Sequence, residues 1–464
     1  MLKSSSPLLW DKSLYSRLIK LALPMMIQNG ITNFVNMLDN IMIGAIGTAE
    51  MTGVAIANQL FFVFNLCIFG AVAGAGIFGA QYFGSGDYQG VRHCFRFKLW
   101  FCGVFAALGL IVFAFGGEFL LGLYMRGDAG ITDPTATMNA ARTYLLIMLI
   151  GIIPFTLVQC YSGTLREGAK PTLPMVAGVV AVFVNLSLNY VLIFGKLGVP
   201  ALGVSGAAIA TVISRFVEIA IVLFFTHLKP KTYPFMTGLY RKMHLPPTLV
   251  GGLFKKGLPL LINEFLWASG MAFISQCYSL RGLDSVAAFN ISQTFWNVFS
   301  IAFMAVGMAN GIIMGQILGS GKLKEAKSSA YRMMIFAFIV AAITALIFYI
   351  CASVIPEVYN SEAEIKLLAT KLMRISAVLM PLEAICHSSY FILRSGGKMV
   401  VTFLFDSVYM WCVNVLLAFL LSRFTSMDFV WLFAWVQIST VLKCGIGVYL
   451  VKKGFWIKNI VSEE

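Results

Sequence analysis

Charge is scarce in this sequence. Asp, Glu, Lys and Arg together supply 12% of the 464 residues, while residues of the apolar set supply 59%. An ordinary soluble domain carries about twice that charged share. So few charges cannot cover a water-facing surface, and lipid is the solvent that fits. Catalytic signatures are missing as well: there is no Walker A motif, no HExxH and no GxSxG. The four histidines (His93, His227, His244, His387) offer no metal-ligand spacing. An enzyme is therefore not expected, and neither is a bound cofactor. The nine cysteines are odd in number, scattered and never spaced CxxC, so they read as small apolar residues. No cleavable signal peptide is evident, because residues 1–17 are polar and basic and the run from Leu18 is too long for a signal core.

What the sequence has in plenty is long apolar runs. A membrane-spanning helix needs about 20 largely apolar residues, and in lipid a helix satisfies its own backbone hydrogen bonds. The runs predict an all-α integral membrane protein with twelve transmembrane helices. Six fall at 18–43, 54–82, 95–115, 143–162, 174–194 and 206–226. Six more fall at 257–280, 286–317, 332–353, 372–391, 400–421 and 429–451. Residues 227–256 form the longest basic connection (Lys229, Lys231, Arg241, Lys242, Lys255, Lys256) and contain four prolines. They read as a cytoplasmic linker between an N-lobe (1–226) and a C-lobe (257–464). Lys and Arg number 24 on the side of the termini and 8 on the other, with Arg215 and Lys443 inside spans. Basic residues gather in cytoplasmic loops. Both termini are expected in the cytoplasm, and topology accounts for the net charge of +14 without a nucleic-acid partner.

The halves repeat each other. A shift of 235 positions brings Pro24 onto Pro259 and Gln81-Tyr-Phe-Gly84-Ser85-Gly86 onto Gln316-Ile-Leu-Gly319-Ser320-Gly321, without a gap. A shift of 228 brings Leu165-Arg166-x-Gly168 onto Leu393-Arg394-x-Gly396. Two blocks in one order mark a duplication. An even number of spans per half predicts a pseudo-two-fold axis along the membrane normal and a substrate cavity between the halves.

Against this apolar background the polar groups stand out. An ionisable side chain at mid-membrane costs about 3 kcal/mol and is a functional candidate by default. Asp39 shares a helix face with Asn36, Thr32 or Asn33, and Gln28 or Asn29, a stripe suited to the wall of a wet cavity. Glu264 lies two turns into span seven, and Glu383 follows Pro381 in span ten. Asn185 and Asn189 are spaced i, i+4 on span five, and Thr211 is on span six. These carbonyl, hydroxyl and carboxylate oxygens suit a hard monovalent cation, and a carboxylate in lipid can equally carry a proton; the residue types permit both. Arg215 and Glu218 read as a neutralised i, i+3 pair, while Lys443 has no partner legible in the sequence. Gln28, Asn36, Trp267 and Met271 are the candidates for touching substrate, since methionine and aromatic side chains line adaptable apolar pockets.

On these residues the chain resembles the multidrug and toxic compound extrusion (MATE) family over nearly its full length. Pro24, Asp39-Asn-Ile-Met-Ile-Gly44, the two Gln-x-x-Gly-Ser-Gly copies, Pro154, Leu165-Arg-Glu-Gly168, the Asn185/Asn189 pair, Glu264 and Leu393-Arg394 carry the likeness. The resemblance implies an antiporter whose lobes alternate between outward and inward openings and expel cationic, amphipathic drugs against Na+ or H+. It implies a cation site, with Na+ as the one metal expected, at Asp39, Asn185, Asn189 and Thr211. It gives Glu264 and Glu383 a share in coupling, although many relatives carry Asp where Glu383 stands. A monomer in a bacterial inner membrane is expected. The alternative is a lipid-linked oligosaccharide flippase of the same superfamily, which would need a basic cavity; a major-facilitator transporter would carry a different loop after span two.

Overall fold

The computed structural model of the chain describes residues 11–125, 133–241, 243–359 and 361–462. Every regular element among them is helical. The first half contains α1 (Lys12–Gly44), α2 (Thr48–Ser85), α3 (Tyr88–Met125), α4 (Pro134–Glu167), α5 (Thr172–Phe194) and α6 (Gly203–Leu228). The second contains α7 (Pro247–Ser279), α8 (Leu283–Gly319), α9 (Leu323–Cys351), α10 (Ala363–Ser395), α11 (Met399–Phe424) and α12 (Phe429–Lys453). The twelve predicted spans correspond to these helices one for one.

Most helices overrun their predicted ends, because a helix continues through polar turns once its apolar run has ended. α10 extends the span 372–391 at both ends. α7 starts at Pro247 and so takes up residues 247–256 of the segment read as a linker, Lys255 and Lys256 included; Lys242 lies outside the described residues. The rest of that segment is docked on α3: Arg96 donates to the carbonyls of Leu239 (2.8 Å) and Gly238 (3.1 Å), and Arg92 to that of Thr237 (3.0 Å). Local capping sets individual ends. Asp133 accepts from Ala136 N at 3.0 Å with Pro134 at the first helical position, and Gly195 closes α5 in the left-handed region.

Ten of the twelve helices are apolar and long enough to cross a membrane on composition alone, and α7 is the least apolar of them. The two that fall short are α1 and α10. These three helices carry Asp39, Glu264 and Glu383. The elements that cost most to place in lipid are thus the ones that hold the candidate acids.

Two compact units share the chain. One comprises Ile27–Gly79 and Asp87–Gly257, the other Met1–Met26, Ala80–Gly86 and Leu258–Glu464. Of the four points where the chain changes unit, three fall inside helices (α1, α2 and α7, the last between Gly257 and Leu258) and one lies between α2 and α3. α1 changes unit two residues after Pro24, where the proline ring removes a backbone donor, and α2 changes unit between Gly79 and Ala80. In the second unit Leu14, Leu18, Leu21, Ala22 and Met25 pack among residues of α8, α9 and α10.

The duplicated Gln-x-x-Gly-Ser-Gly motif has a structural role within that second unit. A Cβ on Gly84 would collide with the Gln316 carbonyl, and one on Gly319 would collide with the Gln81 carbonyl. Each copy therefore gives a glycine to the other's glutamine backbone, and the ends of α2 and α8 cross in reciprocal contact. The Gln81 side chain then ties in the tail. Its Nε2 donates to the carbonyls of Ser395 (2.9 Å) and Lys458 (3.2 Å), and its Oε1 accepts from Ile460 N (2.9 Å). Gly319→Ala is expected to cost about 1–3 kcal/mol by overpacking, read as a lower thermal unfolding midpoint in detergent. Gly103→Ala, on α3 with open space around it, should not lower the midpoint.

Candidate functional site

In the first unit the polar stripe of α1 faces α5 and α6. Asp39 is half-buried, and Asn189, itself buried, donates its Nδ2 to Asp39 Oδ1 at 2.7 Å. Asn185 spans the gap between acid and hydroxyl: one atom of its amide stands 3.0 Å from Asp39 Oδ2 and the other 3.2 Å from Thr211 Oγ1. Turned with Nδ2 toward the carboxylate, it donates a second bond there. The four residues expected to hold a cation in this half therefore converge. Asn189 Oδ1 is buried and has no hydrogen-bond partner among the described residues. An unpaired buried carbonyl is costly, and here it lies beside a carboxylate.

Two cavities meet at Asp39. One of about 400 Å3 is lined by Asn36, Asn58, Asn65, Tyr144 and Phe155, with Asn189 and Thr211. The other, of about 280 Å3, is lined by Gln28, Asn29, Thr32 and Asn36, with Asn185. Asn36, Asp39, Phe155, Thr211 and Arg215 border both. Arg215 forms the expected pair with Glu218 at 3.1 Å and stands 5.5 Å over the Phe155 ring, so its charge is neutralised from its own helix. Gln28 accepts from Arg166 Nη2 at 2.9 Å.

The second unit holds a different constellation. Lys443 has its partner here: its Nζ lies 2.8 Å from Asp406 Oδ1, and each side chain is less than one-fifth exposed. Asp406 Oδ2 also accepts from Asn263 Nδ2 at 3.0 Å, and Asn263 Oδ1 in turn accepts from Ser407 Oγ at 2.7 Å. Glu264 is within Coulombic reach of Arg394 and Asp406. Glu383 accepts from Thr440 Oγ1 at 2.7 Å and lies within Coulombic reach of Lys443. Trp267 is exposed on α7, and Met271 packs beside the core of this unit. The proposed substrate contacts thus fall in separate units, with Gln28 and Asn36 in the first.

Asp406 is the residue that sequence reading missed. It sits two turns into span eleven, and the rule that singled out Asp39 applies to it equally. The helix around it is distorted: Leu404–Val408 and Met410–Val415 are wound as π-helix, a feature that recurs at functional sites. The repeat makes its placement intelligible. The 228-residue shift that relates Arg166 to Arg394 relates Gly178 to Asp406, and Gln28 aligns with Asn263 in the other block. A Cβ on Gly178 would stand 2.8 Å from the Gln28 amide. The same contact between equivalent positions exists in both halves, but one has a glycine where the other has an acid.

Twelve helices, an internal duplication and carboxylates held by side-chain oxygens and amides at spanning depth define a multi-pass membrane transporter. The MatE family model matches residues 24–191 and 259–420, and the chain belongs to that family. Its two matches open on Pro24 and Pro259, the pair that opened the internal repeat. The chain is a transporter and not an enzyme, and transporters of this family use ion coupling. A similar curated protein, "Probable multidrug resistance protein NorM" of Thermotoga maritima, is 24% identical over 454 residues, covering 96% of this chain and 93% of that protein. "Multidrug resistance protein NorM" of Aliivibrio fischeri is 28% identical over 406 residues, covering 86% and 85%. The outward-facing structure of a multidrug resistance MATE family transporter shares the fold, with a TM-score of 0.84 at 17% identity over 95% of each chain.

Proposed function

We propose that this chain is a secondary active exporter that exchanges cationic, amphipathic drugs for Na+ or H+ by alternating access between its N-lobe (1–226) and C-lobe (257–464). The observation that carries the reading is Asp39, half-buried where two cavities meet and held by Asn185 and Asn189, with the unpartnered Asn189 Oδ1 beside it. These residues and Thr211 form the coupling site. Their oxygens suit a sodium ion, and the carboxylate alone suffices for a proton. Glu264 and Glu383 contribute negative charge toward a cation in the other half, while Gln28, Asn36, Trp267 and Met271 touch the substrate. The names borne by the relatives support drugs as the substrate class. The transporter works as a monomer in the cell membrane, with both termini in the cytoplasm.

A pyrophosphate-linked lipid would need cations in the helices that no acid offsets. Lys443 and Arg215 are each committed to an acid, and Arg166 and Arg394 lie within Coulombic reach of Glu218 and Glu264, which favours cationic cargo. The test is reconstitution into vesicles loaded with a fluorescent cation, with sodium and pH gradients imposed separately. Efflux should rise with one of the gradients and stay at the empty-vesicle rate without either. A protein that moves the dye under no gradient would overturn the reading.

A further inference from the structure

The C-terminal cluster contains more charge than cation coupling requires, and the surplus has a definite sign. Its acids are Glu264, Glu383 and Asp406; its permanently charged bases are Lys443 and Arg394, with the His387 imidazole within reach of Asp406, Lys443 and Arg394. Lys443 ends 2.8 Å from Asp406, with Glu383 also within reach of its charge. Its ammonium stands 5.4 Å from the centre of the Phe405 ring and 5.8 Å from that of Tyr409, so oxygens and ring faces both meet the positive charge. The repeat sharpens the point. Arg215 occupies the equivalent place at the 228-residue spacing, yet it is neutralised by Glu218 on its own helix, whereas the position equivalent to Glu218 is Ile446. Lys443 thus has no acid on its own face and is committed to carboxylates carried by other helices.

We propose that Lys443 is a resident cation that fixes how many mobile cations this half of the transporter can hold. Its ammonium fills a place between Asp406 and Glu383 that a monovalent ion would otherwise take. Three acids against two bases leave the cluster with one net negative charge, and in a low-dielectric setting that single charge limits it to a single cation. The inference rests on the reading of a cation-coupled exporter and makes Lys443 the residue that sets its stoichiometry.

The test counts bound 22Na+ per purified transporter at equilibrium, in alkaline buffer where protons are scarce and at saturating sodium. Lys443→Met should bind one more sodium ion than the wild type, and Asp406→Asn/Lys443→Met should return to the wild-type number. A lysine that only braces α12 against α11 would leave the count unchanged in Lys443→Met, and that result overturns the proposal. Should Lys443→Met fail to fold, the comparison passes to the Asp406→Asn background. The double variant must then hold one sodium ion more than Asp406→Asn alone, and equality between them overturns the proposal. Counting needs no transport, so a wild type that exports no drug would overturn the exporter reading and leave this result standing.

Discussion

Asp39→Asn is expected to reduce gradient-driven cation efflux to the rate of empty vesicles while leaving the unfolding midpoint close to that of the wild type. The substitution is nearly isosteric. Asn189 Nδ2 keeps an acceptor at the position of Oδ1, 2.7 Å away, and Asn185 keeps a hydrogen-bonding atom opposite Oδ2. What disappears is the negative charge, together with the ability to exchange it for a proton or to balance a sodium ion. A ligand can shift a conformational equilibrium only through differential affinity for the two states. A neutral amide offers the ion little of that difference, so ion binding no longer drives the lobes. If efflux in Asp39→Asn equals that of the wild type, the coupling site lies elsewhere, and the C-terminal acids become the first place to look.

Sequence alone makes this half of the site legible because its parts are ordinary signals. Asp39 is a charge in an apolar run, Asn185 and Asn189 share a helix face by their spacing, and Asn185 lies within reach of Thr211 once α5 and α6 pair. The other half was legible only in part. Glu264 and Glu383 stood out, but Lys443 had no visible partner because its partner is 37 residues away on a neighbouring helix. Such a pairing depends on how α11 and α12 pack and on the π-wound turns around Asp406, neither of which periodicity encodes. The repeat contained more information than its use as a marker of duplication. Gly178 against Gln28 and Asp406 against Asn263 are one contact written twice, and the Gln-x-x-Gly-Ser-Gly copies are each other's packing partners.

Lys98 is a charge whose burial the sequence does not reveal: it lies near the start of α3 and is fully buried. Its Nζ lies 2.6 and 2.7 Å from the two Glu167 oxygens and donates to Thr164 Oγ1 at 2.9 Å. The carboxylate occupies a notch on α2, where a Cβ on Gly76 or Gly79 would collide with it. Lys98→Met removes one member and leaves the Glu167 charge in that notch without the ammonium that holds both its oxygens. The expected loss is about 3–5 kcal/mol, as for other buried pairs broken from one side. Lys98→Met/Glu167→Met removes both charges and should recover most of that loss, because a buried pair contributes little beyond its own desolvation. Thermal unfolding in detergent separates the two variants. A single variant as stable as the wild type would mean that water already reaches Glu167. Gly79 is the last residue of α2 in its unit before the helix passes to the other. The ion pair therefore fixes α3 and α4 to α2 beside that boundary, and a variant that loosens it should lose transport as well as stability.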